Sequence, residues 1–244
     1  MSEWKCKLGY VVPSWNTVVE YETTRMLPAG VSAHFSRISH TNDSPESLRF
    51  MTEQFPSHVE LLSHAKLDVV CYACTGASLL RGRDQDVQDI ARVRTAGMPV
   101  ISTAGALVDA AQHLQMSRVA VAAPYEQWLL DCLVTYLEDA GFTIVTAVGL
   151  GQQANVLHSP QAAIDLTLRA WSPDADGLIL SCGNFRSLES IPEIERLMNK
   201  PLITSNTAAL WSALTAAEWE GSIPRAGQLL TQFGKTATMR TRDR

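Results

Sequence analysis

The chain has 244 residues, of which 46% are apolar and 18% charged, the composition of a globular protein long enough to bury a full core. A net charge of −5 with no long Lys/Arg cluster offers no basic face for phosphate, so nucleic acid is not an expected partner. No apolar run approaches the roughly 18 residues of a bilayer span, and the opening MSEWKCKLGY has no apolar signal-like segment, so the expected location is cytoplasmic with no membrane partner.

Short β-rich apolar runs alternate with longer stretches of helical periodicity, the pattern of βα units around parallel sheets. In chain order the predicted strands cover 8–12 (LGYVV), 31–38 (VSAHFSRI), 67–73 (LDVVCYA), 99–103 (PVIST), 118–123 (RVAVAA), 142–148 (FTIVTAV), 177–181 (GLILS) and 201–205 (PLITS). Helices are expected to begin directly after two cysteines, over 75–80 and near 184–191. The tail 235–244, KTATMRTRDR, is polar and reads as frayed.

The two halves repeat each other. LGYVVPS (8–14) resembles VAVAAPY (119–125), LDVVCYACTG (67–76) resembles ADGLILSCGN (175–184), and MPVISTAGALVDA (98–110) resembles KPLITSNTAALWSA (200–213). Pro13 and Cys74 are 61 positions apart, Pro124 and Cys182 are 58, so the spacing recurs with the letters. Duplication of a four-stranded unit accounts for this. The expected fold is therefore α/β, with two similar lobes related by a pseudo-twofold axis, each a four-stranded, mainly parallel sheet flanked by helices.

Five cysteines without secretory features point to reduced thiols rather than a disulfide framework. Cys74 and Cys182 end strands at the carboxyl edge, where open α/β sheets bind ligands. Packed face to face, the lobes would bring both thiols to one substrate, and helix N-termini would lower their pKa. Cys71 lies three residues before Cys74 in a strand, so the two point to opposite faces and Cys71 reads as core packing. Cys6 and Cys132 read as structural. The six histidines are scattered and no zinc spacing, complete dinucleotide fingerprint or Walker loop occurs, so neither metal nor cofactor is expected.

Strand ends and first turns also supply Ser14, Asn16, Thr17, Thr75, Ser102, Thr103, Tyr125, Thr204, Ser205 and Asn206, with Asn155 from the loop GLGQQANVLH and Gly183 just after the second cysteine. Such neutral donors, with backbone N–H groups at helix starts, suit a carboxylate; any single hydroxyl among them also serves as a helix cap. Thiols, hydroxyls and amides together suit proton transfer or addition chemistry on a small carboxylic acid.

VPSWNTVVEYET (12–23), YACTG (72–76), ISTAGALVDA (101–110), VAVAAPY (119–125) and Asn155 resemble the corresponding stretches of maleate cis-trans isomerases. DGLILSCGNFRSLESIPEIERL (176–197) and TSNTAALWSAL (204–214) are similar to arylmalonate decarboxylases, so the chain resembles that branch of the Asp/Glu racemase superfamily. The resemblance implies two α/β lobes, 1–104 plus 209–244 and 105–208, with the active site between them, and a homodimer as a possible assembly. It implies cofactor-independent isomerisation of a small dicarboxylic acid, of the maleate-to-fumarate type. Cys74 would be the nucleophile, Cys182 the second thiol, and Asn16, Tyr125 and Asn155 the carboxylate holders, with Ser14, Thr75 and Gly183 beside them. Alternatives from the same family are an amino-acid or hydantoin racemase, or an arylmalonate-type decarboxylase, using the thiols for proton transfer. The decarboxylases carry glycine where this chain has Cys74, which speaks against the last. Trp15, Phe185 and Arg186 depart from the isomerase pattern.

Overall fold

In the computed structural model, residues 4–93, 98–154 and 157–233 are described. The first half runs β1 (Cys6–Pro13), α1 (Val18–Met26), β2 (Val31–Ile38), α2 (Pro45–Ser63), β3 (Val69–Tyr72), α3 (Thr75–Arg81), α4 (Arg83–Val93), β4 (Val100–Ser102) and α5 (Thr103–His113). The second runs β5 (Arg118–Tyr125), α6 (Gln127–Asp139), β6 (Thr143–Gln152), α7 (Pro160–Ala170), β7 (Gly177–Leu180), a 3-10 turn (Leu188–Ser190), α8 (Ile191–Met198), β8 (Leu202–Thr204), α9 (Ser205–Ala216) and α10 (Gly227–Thr231).

The strands form two parallel four-stranded sheets with the same order, β2-β1-β3-β4 and β6-β5-β7-β8. Each inner strand is covered on both faces, and β3 and β7 are accordingly uninterrupted apolar tetrapeptides, VVCY and GLIL, with every residue buried. The edge strands β2 and β6 are only partly buried.

One local brace recurs in both halves and fixes the register of inner strands. Asp68 Oδ2 accepts from the Lys7 N–H at 2.7 Å, while the Asp68 N–H donates to Lys7 O. Asp176 Oδ2 accepts from the Arg118 N–H at 2.8 Å, while the Asp176 N–H donates to Arg118 O. Each aspartate lies six residues before its cysteine, so the brace sets where the strand delivers the thiol.

The chain passes from the first sheet to the second through α5, which packs on α9, and the two helices start at matching caps. Ser102 Oγ accepts from the Gly105 N–H, and Thr204 Oγ1 from the Thr207 N–H with the Thr207 hydroxyl returning the contact. Residues 205–214 of α9 are all buried, as expected of a helix that is apolar or small on every side. α9 also packs on α1, β3 and β4, and a single apolar core runs from Leu8 and Tyr10 through both helices to Val119 and Leu178. No helix among the described residues is long and apolar enough to cross a membrane.

The strand positions follow the sequence expectation within a few residues. The helix expected near 184–191 does not form there: α3 starts directly at Thr75, whereas Cys182 is followed by turns, the 3-10 turn and only then α8 at Ile191. The extra turns exist because the segment after Cys182 is tied to the first half, as described next. The tail at 235–244 lies outside the described residues.

Candidate active site

β3 and β7 deliver Cys74 and Cys182 to one region at the carboxyl edges of the sheets. Both are buried and free, at 7% and 5% exposure, and a charge on Cys182 would raise the Cys74 thiol further. The surroundings of the two sulfurs are parallel. Cys74 is the residue before α3; its side chain forms no capping hydrogen bond, but the N–H groups of Ala77 and Gly76 beside it lower the thiol. The N–H groups of Asn184 and Phe185 beside Cys182 lower it likewise, together with the Tyr125 hydroxyl. In each case donors two and three residues onward meet a charge forming on sulfur.

The second cysteine differs from the first in backbone strain. Cys182 has φ 138°, a region that only glycine occupies comfortably. The strain is held by bonds on both sides. The Cys182 N–H donates to Ser205 Oγ at 3.0 Å, and Asn206 Nδ2 donates to Gly183 O at 3.2 Å. Ser205 Oγ is also 3.2 Å from Thr75 Oγ1, so the two cysteine turns are joined through one hydroxyl pair.

Residues from the first half hold the segment after Cys182. Glu22 on α1 is 1% exposed, and its Oε1 accepts from the N–H groups of Ser187 at 2.6 Å and Leu188 at 2.8 Å. Its Oε2 accepts from Asn206 Nδ2 at 2.7 Å. Burial pushes the Glu22 carboxyl up, and these three donors pull it back down. Asn184 accepts from the Thr17 N–H at 3.1 Å and donates to Ala154 O at 2.8 Å. Asp43, between β2 and α2, accepts from the Ala154 N–H at 2.6 Å and from His40 Nε2 across 3.1 Å. The Ala154 peptide is thus gripped at both ends, by one side chain from each half.

The donors expected at the site separate into two groups. Asn16 Oδ1 is occupied by capping α1, accepting from Val18 and Val19 N–H at 3.0 and 2.9 Å; its Nδ2 has no acceptor among the described residues and faces Gly183, 3.7 Å from where a Cβ there would sit. Tyr125 serves Cys182, with its hydroxyl 3.2 Å from Ser181 Oγ. Thr75 and Ser205 join the cysteine turns, and Asn206 is consumed by Glu22 and Gly183. Ser14 is spent elsewhere, exchanging bonds of 3.1 Å with the backbone of His40. Ser102 and Thr204 are caps, and Ser102 also donates to Asp86 at 2.5 Å. Thr103 donates to Tyr72 O at 3.2 Å, and Thr17 contributes only its N–H. Asn155 lies outside the described residues.

The structural expectations for the other cysteines agree with their placement. Cys71 faces the central core with Thr103 Oγ1 at 3.7 Å, and burial pushes it up to about 12. Cys6 is pushed up to about 11, by burial and by Asp68. Arg186 is an ion pair with Glu189 at 2.6 Å, laid over the Tyr21 ring, and Phe185 stacks on His158. Trp15 meets His40 edge-on at 4.5 Å between ring centres. Among the described residues no group of three or more His, Cys, Asp or Glu is placed to hold a metal.

Electrostatics correct one expectation. The helix-start donors do lower the thiols, but desolvation outweighs them: Cys182 is pushed up to about 12 and Cys74 well above the ordinary thiol range. Burial therefore favours the protonated form of both thiols, while the N–H groups beside each favour a thiolate. Asp43, which sequence reasoning missed, contributes to the rise at both thiols and at Tyr125. Glu22 and Asn184 were missed as well, although Glu22 lies within the stretch 12–23 that carries the resemblance.

The arylmalonate decarboxylase family profile matches residues 8–230. A maleate isomerase of Pseudomonas putida is 30% identical over 242 residues, spanning 92% of this chain and 97% of its own. The structure of the maleate isomerase of Pseudomonas putida S16 with maleate superposes with a TM-score of 0.88 at 27% identity, over 93% of this chain and 97% of that one. A Nocardia farcinica maleate cis-trans isomerase variant with a covalently bound succinylcysteine intermediate superposes with a TM-score of 0.85 at 28% identity, over 93% and 98% of the two chains.

Proposed function

Because the chain belongs to the arylmalonate decarboxylase family, we propose that it is a cofactor-independent cis-trans isomerase of a small dicarboxylic acid, of the maleate-to-fumarate type, with Cys74 as nucleophile. The observation that carries this reading is the pair of buried thiols, each ringed by donors that stabilise a thiolate, facing one region between the two sheets.

The chemistry balances without a cofactor. Cys74 Sγ bonds to one alkene carbon, and the π electrons move toward the carboxylate on the other carbon. Cys182 delivers a proton to that second carbon and is restored by the proton leaving Cys74, so the S–H of Cys74 has been added across the double bond. The central bond is now single and rotates. As the C–S bond breaks and its electrons return to sulfur, Cys182 hands its own proton to Cys74 and takes up the proton from the neighbouring carbon, so the trans alkene leaves with both thiols restored. The two N–H groups at Cys74 and the three donors at Cys182 oppose the charge that forms on each sulfur. Asn16 Nδ2 holds a substrate carboxylate, Thr75 and Gly183 shape the pocket beside the sulfurs, and Asn155 serves as a second amide. The bound succinylcysteine of the Nocardia farcinica enzyme supports this sequence of steps.

The partition into lobes 1–104 plus 209–244 and 105–208 belongs to the same proposal, supported by the packing of α9 on α1, β3 and β4. A cytoplasmic location and a homodimer belong to it too, on the strength of the reduced thiols and the resemblance.

The test is incubation with maleate in heavy water followed by NMR. Fumarate without loss of carbon is expected; deuterium at a stereocentre of an offered amino acid, or decarboxylation of phenylmalonate, would replace this reading by racemisation or decarboxylation. In Cys182→Ser, mass spectrometry is expected to find a succinyl adduct on the peptide carrying Cys74.

A further inference from the structure

We propose that the cavity between α2, α3 and α4 is a second binding site of this chain, for a small aromatic acid that carries a hydroxyl group opposite its carboxylate. The cavity measures about 300 Å³, room for one ring with its substituents. Neither Cys74 nor Cys182 lines it, so the proposal stands apart from the isomerase reading. α2 turns Arg49, Thr52 and Pro56 toward it and α4 turns Asp86, Ile90 and Val93, in each case residues that share one helix face, while α3 closes the third side. Asp86 is the only buried residue of α4, and the face it shares with Ile90 and Val93 is incompletely packed.

The depth of the cavity is aromatic, with a polar end. The Phe55 and Tyr72 rings, both buried, stack at 4.1 Å between centres, and Pro56, Ile90 and Val93 continue the apolar wall, a lining that suits a flat ring. Ser78, on α3, is 1% exposed, and its Oγ makes no hydrogen bond, although it stands near enough to Asp86 to help lower that carboxyl. Ser102 and Tyr136 both donate to Asp86 Oδ2, which leaves Oδ1 for a further partner. A ligand hydroxyl serves this end because it both donates and accepts, so it can meet the Ser78 hydroxyl and the Asp86 carboxyl together.

The mouth is cationic. Arg49 is exposed and has no hydrogen bond or ion pair among the described residues. Arg81 and Arg92 share the single carboxylate of Asp89, at 2.9 and 3.2 Å. Glu53 is the one other acid near the surface, so three guanidiniums meet two carboxylates there, while burial holds Asp86 below them toward its neutral form. One ligand carboxylate balances that excess, and a guanidinium holds it through paired N–H groups.

Calorimetry at neutral pH tests this with para-hydroxybenzoate, benzoate and para-hydroxybenzyl alcohol, the second lacking the hydroxyl and the third the charge. The hydroxybenzoate is expected to bind about tenfold more tightly than either. Arg49→Gln is expected to abolish its advantage over the alcohol and Ser78→Ala its advantage over benzoate, each leaving the other advantage in place. A general loss of folding would not divide the two preferences in this way, and neither side chain has a hydrogen bond to lose in the free chain. Failure of para-hydroxybenzoate to bind overturns the proposal, and so does a preference that survives its own variant. Binding that Asn16→Ala weakens and Arg49→Gln does not would put the acid between the sheets and overturn it as well.

Discussion

Thr75 Oγ1 and Ser205 Oγ lie 3.2 Å apart, and the same Ser205 oxygen accepts the Cys182 N–H at 3.0 Å. The residue that follows the first cysteine is therefore one hydroxyl away from the backbone of the second, and the two turns are tied together.

Ser205→Ala leaves the buried Cys182 N–H without an acceptor and releases a strained turn. The expected cost is about 1–3 kcal/mol of stability, measured by urea unfolding. Turnover of maleate should fall more than the affinity for it, since the sulfur and not the carboxylate site is displaced. A fully stable, fully active Ser205→Ala would remove Ser205 from the machinery.

Tyr125→Phe removes the hydroxyl donor beside Cys182. That donor lowers a thiol already near 12, so its loss moves the thiol higher and depletes the thiolate further at any given pH. In a Cys74→Ser background, alkylation of Cys182 by iodoacetamide should be slower at every pH tested. In the wild-type background kcat should drop by about tenfold or more. Unchanged alkylation would mean that the hydroxyl serves Ser181 alone.

The φ of 138° at Cys182 separates stability from activity. Cys182→Gly and Cys182→Ala both remove the sulfur, but only glycine relaxes the backbone. The glycine variant is expected to be more stable than the alanine variant by about 1 kcal/mol in thermal unfolding, with both inactive. Equal stability would show that the turn stores no strain.

Asp86 gives a pH signature away from the thiols. It is 3% exposed, and its Oδ2 accepts from the hydroxyls of Ser102 at 2.5 Å and Tyr136 at 2.8 Å, with burial raising the carboxyl. A carboxyl raised on folding binds more protons in the folded chain between its ordinary value near 3.8 and its folded value, so its stabilisation is present at low pH and is lost as pH rises through the folded value. Asp86→Asn removes that share of the slope, and both hydroxyls can turn to suit an amide. The variant should gain stability relative to wild type as pH is raised from about 4 upward through the raised folded value, measured by thermal unfolding. Parallel curves would show that Asp86 does not titrate there.

The sheets and the placement of both candidate sulfurs at matching strand ends were legible because they are written in short-range pattern. VVCY and GLIL announce buried parallel strands, and the recurrence of an apolar strand running into cysteine and then glycine marks the same position in both halves. What stayed hidden is made by distant pairs. Glu22 bonds residues more than 160 positions away, Asp43 meets Ala154 across 111, and neither partner advertises the other in sequence. The thiol electrostatics were misjudged for a related reason. Helix-start donors are local and readable, whereas the depth of burial that outweighs them belongs to the assembled chain. The helix expected at 184 fails on the same ground, since the Glu22 contacts to Ser187 and Leu188 hold that segment in turns.

Each sheet is drawn from one unbroken stretch, β1 to β4 and then β5 to β8, and the only passage from the first to the second runs through α5 and the turn ending at Met116. A chain severed in that turn would yield two polypeptides, each owning all four of its strands and one of the two central helices. Mixed together, they should recover activity that neither has alone, because each supplies one sulfur.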